Sequence, residues 1–203
     1  MNPSDELAFK INLIKIPTQI YNGFEIPTKR QFLAVIISIY DPLGFLTPFT
    51  VHSRIIMQDI WMSKIGWDEK LKMKEFSQWK KWLNDFEKVK NCRIPRCYQI
   101  GIEQQNKTDL HIFFDASSKA YTAVAYWRFL LPDNKYHIAF IMSKSRVAPM
   151  TNTTIPRLEL QAGVLAIRLA KLIANEHDIQ VNRRFFWSDS STVIQWVNKD
   201  PRK

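Results

Sequence analysis

Apolar and polar residues alternate along DLHIFFD, from Asp109 to Asp115, with the period of two that is typical of a β-strand. The alternation divides the side chains between two faces, with Leu110, Ile112 and Phe114 on one and His111, Phe113 and Asp115 on the other. A Ser-rich turn over residues 116–118 follows directly. The pattern therefore predicts a strand that ends on a carboxylate.

Three more segments have the length and composition of strands: residues 120–129, 136–144 and 183–188. The turn Pro132-Asp133-Asn134 separates the first two of these segments. We therefore expect the first three strands to form an antiparallel meander, which the fourth strand joins later in the chain.

Two helices are predicted in the same half of the chain. The first covers residues 154–175, with a threonine as its cap and Pro156 in its first turn. A stripe of small side chains would let it lie close to a sheet: Ala162, Gly163, Ala166 and Ala170. The second covers residues 192–198, capped by Ser190 or Ser191. The order of elements is β-β-β-α-β-α.

Helical patterns dominate the first 90 residues. Thr28 and Gln31 have the spacing of a capping box ahead of QFLAVIISIY, a run that is also β-branched enough for a strand. Further helices are predicted over about 48–64 and 70–89. The second of these has an apolar stripe formed by Phe76, Trp79, Leu83 and Phe86. The fold class is α/β, or α+β overall, with a helical region over 1–90, a linker over 91–108 and a mixed sheet within 109–203.

The composition is that of a globular protein, with 203 residues, 46% hydrophobic and 24% charged. The net charge of +10 is shared between both halves, and a basic surface of this kind attracts phosphate backbones. The polar start of the chain and its short apolar runs predict neither a signal peptide nor a membrane span. Its two cysteines, Cys92 and Cys97, lack the further ligands of a zinc site and favour a reducing compartment.

Three carboxylates stand out by their order along the chain. Asp115 ends one strand, Glu159 lies in the predicted first turn of a helix, and Asp189 ends the fourth strand. If the two strands are parallel, their ends meet at one sheet edge, where the three acids would offer oxygen ligands to Mg²⁺ or Mn²⁺. Each acid also has a structural interpretation, because Asp shapes turns and caps helices, and Glu favours helix N-termini.

Several stretches in the same order resemble the pol polyprotein of Pao/BEL-type LTR retrotransposons, and residues 109–203 resemble a ribonuclease H domain. The matching stretches are PTKRQFLAVIISIYDPLGFLTP, FFDASSKAYTAVAYWR, SKSRVAP, TIPRLELQA and WSDSSTVIQWV. The resemblance implies that Asp115, Glu159 and Asp189 bind two divalent ions, Mg²⁺ or Mn²⁺, and that the RNA strand of an RNA–DNA hybrid is cut. Residues 27–90 would correspond to the thumb and connection end of a reverse transcriptase. The expected partners are the hybrid and the rest of the polyprotein, in cytoplasmic retroelement particles or the nucleus.

The sequence departs from the family pattern at three points. The family has a fifth strand and a last helix with a fourth acidic ligand, and this chain stops at Lys203, so we expect an incomplete ribonuclease H-like fold. No Asp-Asp pair of a polymerase palm occurs in the chain. Thr122 stands where a glycine is usual.

Other classes of function stay open at this point. Related families have been classed as aspartic peptidases, but Asp115 and Asp189 lack the glycine of an Asp-Thr-Gly or Asp-Ser-Gly loop. An integrase-type nuclease would need its Glu on a late helix, after both aspartates. A catalytically silent remnant that binds nucleic acid is the non-enzymatic alternative.

Overall fold

A computed structural model describes residues 5–9, 16–98 and 107–198 of the chain. The chain divides into two compact units, Met1–Pro42 with Leu46–Arg96 and Leu43–Phe45 with Cys97–Lys203. Part of the predicted linker, residues 99–106, lies outside the described residues, and the linker stays a prediction.

The first unit is mainly helical, as its sequence pattern predicts. Its elements are β1 (Glu6–Ala8), α1 (Thr18–Tyr21), α2 (Lys29–Ile37), α3 (Thr47–Met62), α4 (Met73–Lys90) and β2 (Arg93–Pro95). The two short strands pair in the antiparallel direction. In the part of the chain that the structure describes, no helix is both long and apolar enough to cross a lipid bilayer.

The capping box at the start of α2 decides between helix and strand for the run that follows it. The Thr28 hydroxyl accepts a hydrogen bond from the Gln31 backbone N–H at 3.3 Å, and the Gln31 side chain accepts one from the Thr28 N–H at 2.8 Å. Two backbone donors at the helix start are thereby satisfied. The predicted helix is confirmed, and its end at Ile37 precedes Pro42 as the sequence requires.

The apolar stripe of α4 is confirmed where its side chains are described, because Trp79 and Leu83 are buried and Phe76 is half-buried. The side chain of Phe86 lies outside the described residues. Trp82 is also buried and stacks on Trp79 with a distance of 5.2 Å between ring centroids. The buried face of this helix is therefore wider than the predicted stripe.

The second unit contains a mixed four-stranded sheet with one long helix. Its elements are β3 (Thr108–Ala116), β4 (Ala120–Leu130), β5 (Tyr136–Val147), α5 (Ile155–Glu176), β6 (Arg183–Trp187) and α6 (Ser191–Asn198). The strand order is β5-β4-β3-β6, with antiparallel pairing throughout except between β3 and β6, which are parallel. The predicted fold class, element order and meander are confirmed.

Helix α5 covers one face of this sheet. Its small side chains are buried as predicted: Ala162, Gly163, Ala166 and Ala170. They allow α5 to pack on β3 and β4, where Leu110, Ile112 and Trp127 are fully buried. His111, Phe113 and Asp115 lie on the other face of β3, as the alternation predicts, and are at least partly accessible to solvent.

Residues 43–45 belong to this second unit and lie along β5, an edge strand of the described sheet. The backbone N–H of Ser143 donates a hydrogen bond to the Leu43 carbonyl at 2.9 Å, and its hydroxyl donates one to the Gly44 carbonyl at 2.7 Å. The Phe45 and Phe140 ring centroids lie 4.7 Å apart. The short segment is thus fastened to the strand by backbone, hydroxyl and ring contacts.

Candidate active site

The parallel pairing of β3 with β6 brings two of the three predicted acids to the same edge of the sheet. Phe113 and Trp187 are register partners, and Asp115 and Asp189 each follow two residues later. Asp115 lies within β3, which continues to Ala116. Asp189 does not end its strand as predicted, because β6 ends at Trp187 and the acid lies in the following turn.

Both aspartates line one open cavity of about 360 Å³. The cavity is lined by Phe113, Phe114, Asp115, Thr122, Val124, Trp187, Ser188 and Asp189. Both carboxylates are exposed to solvent, and one Asp115 oxygen accepts a hydrogen bond from the Ala116 N–H at 2.6 Å. The site therefore combines two accessible carboxylates with a mainly apolar wall.

Glu159 is carried by helix α5, as predicted, but at a different position in the helix. The helix begins at Ile155, so Glu159 lies beyond the first turn, and the prediction of a first-turn position is wrong. Thr154 is the N-cap residue as predicted, without a hydrogen bond from its side chain to the helix, and α5 ends at Glu176, one residue beyond the predicted end. The half-buried Glu159 carboxylate accepts a hydrogen bond from the Ser190 hydroxyl at 2.6 Å, which ties it to the residue after Asp189.

The donor set suits a hard divalent cation, because three carboxylates supply the oxygen ligands that Mg²⁺ and Mn²⁺ prefer. Within residues 5–9, 16–98 and 107–198, however, no group of three or more His, Cys, Asp or Glu side chains is arranged so that it could hold a metal ion. Asp115 and Asp189 line one cavity, whereas Glu159 is not among its lining residues and is hydrogen-bonded to Ser190, the residue after Asp189. The ligand chemistry fits, and the acids would have to draw closer together around an ion.

Aromatic rings continue from the two aspartates along the face of the sheet opposite α5. The Trp187 ring stacks on Phe113, with 5.9 Å between centroids and an angle of 13° between the ring planes. Its indole N–H donates to Nδ1 of His111 at 3.1 Å, and His111 stacks on Phe185 at 4.8 Å. Burial lowers the pKa of His111, and the charge of nearby Arg128 lowers it further, which agrees with an unprotonated Nδ1 that accepts this bond.

No motif in the sequence marks these rings as part of a site. The alternation in β3 already places His111 and Phe113 on the face of Asp115, so this part could have been predicted. The contribution of Trp187 depends on the register between β3 and β6, which is set by contacts between residues more than 70 positions apart.

An ion-pair network around Asp109, also not predicted from the sequence, stabilises the opposite end of the β3–β6 strand pair. The buried Asp109 carboxylate accepts hydrogen bonds from Arg128 at 2.7 Å and from Arg183 at 3.0 Å. Burial alone would raise the pKa of Asp109, but the two arginines outweigh that effect and hold it below its usual range. Because Asp109 and Arg183 are register partners on β3 and β6, this ion pair stabilises the pairing that places the two acids.

Replacing Asp109 with Asn should therefore destabilise the second unit at neutral pH by about 1–2 kcal/mol, since charge-assisted hydrogen bonds are lost and Arg183 is partly screened by water. A carboxyl whose pKa is lower in the folded state stabilises the fold above its unfolded pKa of about 4. This contribution disappears as the pH falls through the folded value. Urea unfolding at pH 7 and pH 3 measures both effects.

The difference in unfolding free energy between wild type and Asp109→Asn should be largest at pH 7 and smaller at pH 3. Asp133→Asn is the matched control, because it removes an exposed ion pair with Lys135 and should change stability little at neutral pH. An equal loss for the two variants at pH 7 would show that the Asp109 network does not stabilise the strand pair.

Comparison with known proteins identifies the family of this chain. The family model described as "Pao retrotransposon-like RNaseH-like domain" matches residues 28–190, which include the cap of α2 and all three acids. No curated protein sequence matches the chain.

Solved structures that match this chain include the foamy viral protease-reverse transcriptase in complex with an RNA/DNA hybrid. That structure is 16% identical, has a TM-score of 0.43, and is matched over 91% of this chain and 25% of its own. The same viral protein in complex with double-stranded DNA is 14% identical, has a TM-score of 0.37, and is matched over 85% of this chain and 36% of its own. The chain thus spans about a quarter to a third of the length of these proteins.

Proposed function

This chain belongs to the Pao retrotransposon-like RNaseH-like domain family, and from that membership we propose that it hydrolyses the RNA strand of RNA–DNA hybrids. The observation that carries the proposal is the parallel pairing of β3 and β6, which leads Asp115 and Asp189 into one cavity. One exposed carboxylate near the end of β3 and another just after β6 would offer a cation and a phosphate a common binding place.

Asp115, Glu159 and Asp189 are the residues that would hold divalent metal ions. Such ions would activate the attacking water and stabilise the leaving oxygen of the cut strand. The carboxylate oxygens of both aspartates are accessible to solvent. The Glu159 carboxylate is hydrogen-bonded to Ser190, the residue that follows Asp189.

The rest of the site would bind and orient the nucleic acid. A chain with a net charge of +10 attracts the phosphate backbone at moderate salt concentration. The Phe113–Trp187 stack offers an apolar wall next to the acids, suited to contact with a sugar or base. Selection for RNA would come from contacts to the 2′-hydroxyl, the group that distinguishes RNA from DNA. In the cell the domain would act with the remainder of a pol polyprotein.

One observation favours a second function, namely binding of nucleic acid without cleavage. No three-ligand group that could hold a metal ion exists among the described residues, so a chain that cannot draw its acids together would still keep its basic charge and exposed rings. Such a chain would retain a hybrid without cutting it.

Hydrolysis of a hybrid with a labelled RNA strand distinguishes the two functions. We expect the RNA strand to be cut in Mn²⁺ or Mg²⁺ and the DNA strand to stay intact, because selectivity depends on the 2′-hydroxyl. Double-stranded DNA and single-stranded RNA of the same sequence serve as control substrates. A folded protein that retains the hybrid at low salt and cuts none of these substrates would support the binding function and contradict the nuclease.

A further inference from the structure

The Ser190 hydroxyl joins α5 to the start of α6 at the candidate site. It donates to the Glu159 carboxylate at 2.6 Å and accepts a hydrogen bond from the Val193 backbone N–H at 3.2 Å. The Ser190 N–H in turn donates to the Ser188 hydroxyl at 3.2 Å. Ser190 is only 7% exposed, so water competes little for these bonds.

A serine hydroxyl has one proton to donate and lone pairs that accept. The proton of Ser190 goes to a carboxylate oxygen, and a hydrogen bond to a charged acceptor is shorter and stronger than one between neutral groups. A lone pair meanwhile caps α6, whose Val193 side chain packs near Gly163 of α5. The direction of the hydroxyl is thus fixed by two partners at once.

The hydrogen bond matters because Ser190 follows Asp189, a proposed metal ligand, in the chain. Asp189 directly precedes Ser190, so the bond to Ser190 fixes the flexible Glu159 side chain beside the backbone of a second acid. Without it, Glu159 would be free to turn towards solvent along the surface of α5.

We propose that Ser190 is a positioning residue, which holds the Glu159 carboxylate beside Asp189 and so sets the spacing of the acids. The proposal deepens the proposed nuclease function and rests on it for its catalytic consequence. Ser190 acts through Glu159 and not on the substrate. Outer partners that orient carboxylate ligands commonly affect activity or metal affinity by about 10–100-fold.

Two substitutions separate the bond to Glu159 from the helix cap. Ser190→Gly removes the hydroxyl, while glycine is tolerated at a helix N-cap almost as well as serine. Ser190→Thr keeps both the donor and the cap. Ser191→Ala changes an exposed neighbouring serine and serves as the control for the local sequence.

The first measurement is a double-mutant cycle in urea unfolding with Ser190→Gly, Glu159→Ala, which removes the hydrogen-bond acceptor, and the double variant. We expect the single effects to be non-additive by at least about threefold in the unfolding equilibrium constant, because the two side chains contact each other. This readout needs no enzymatic activity. Additive effects would overturn the proposal, whatever the outcome of the cleavage assay.

The second measurement is cleavage of the labelled hybrid. We expect Ser190→Gly to lower kcat about tenfold with little change in KM, and Ser190→Thr and Ser191→Ala to retain kcat within about twofold. A wild-type kcat in Ser190→Gly would overturn the positioning role while leaving the nuclease function intact. If the wild-type protein cuts nothing, the nuclease function fails, and the thermodynamic cycle still decides whether Ser190 holds Glu159.

Discussion

Asp115→Asn should reduce cleavage of the RNA strand by at least about a hundredfold, the size of effect seen when one charge-stabilising group is removed from an active site. The substitution keeps the shape of the side chain and its capacity to accept the Ala116 N–H hydrogen bond. It removes only the negative charge that a divalent cation would bind. Since Asp115 is exposed, the loss of its charge should not disturb the packing of β3.

Initial rates on the labelled hybrid in Mn²⁺ measure this effect, and urea unfolding of the same preparations shows whether the fold is kept. Asp133→Asn is the matched control, because it removes an exposed aspartate of the same unit from the turn between β4 and β5. Its rate should equal that of the wild type. Equal cleavage rates for Asp115→Asn and wild type would mean that another site or a contaminating nuclease cuts the RNA. The proposed site would then be wrong.

The parts of this site that follow from local patterns were predictable from the sequence. The alternation around Asp115 gave its strand and its face, and the apolar run before Asp189 gave a second strand. The small residues of α5 gave a helix that lies close to the sheet. These predictions hold because side-chain periodicity and burial are determined within a few neighbouring residues.

The contacts that complete the site depend on residues far apart in the chain and were not predictable. Ser190 was predicted as a helix cap, and it caps α6, but its bond to Glu159 spans 31 positions. The helix begins directly after the predicted cap Thr154, and Glu159, five residues after that cap, lies beyond the first turn of about 3.6 residues. Hydrogen bonds of this kind leave no periodic signal in a sequence.

One strand pair connects the structural and chemical features of the second unit. The Asp109–Arg183 ion pair holds the first end of the β3–β6 pairing, and the Phe113–Trp187 stack holds the other. A shift of one residue would turn every side chain of β6 to the opposite face. Contacts at both ends therefore fix the register that carries Asp189 towards Asp115, and a change at Asp109 should affect cleavage as well as stability.

Gly44→Ala should destabilise the second unit by about 2–4 kcal/mol, a large part of the stability of a typical domain. Gly44 has a φ of +77°, a conformation that costs a residue with a Cβ about 1–2 kcal/mol. A Cβ at this position would also lie 2.2 Å from the Ser143 backbone oxygen, so the segment or β5 would have to move. That movement would break the Ser143 hydrogen bonds to Leu43 and Gly44.

Gly23→Ala separates backbone strain from steric overlap. Gly23 has a similar φ of +73°, but the nearest atom to its added Cβ would be a Leu83 methyl carbon at 3.4 Å, an ordinary contact. We therefore expect the smaller cost of the left-handed conformation alone, about 1–2 kcal/mol, in the unit that contains Gly23.

Amide hydrogen exchange measures the stability of the two units separately, and the Ser143 N–H reports directly on the effect of Gly44→Ala. If Ser143 keeps its protection in Gly44→Ala, then the added Cβ is accommodated without breaking the hydrogen bond to Leu43, and the requirement for glycine there is one of backbone conformation only.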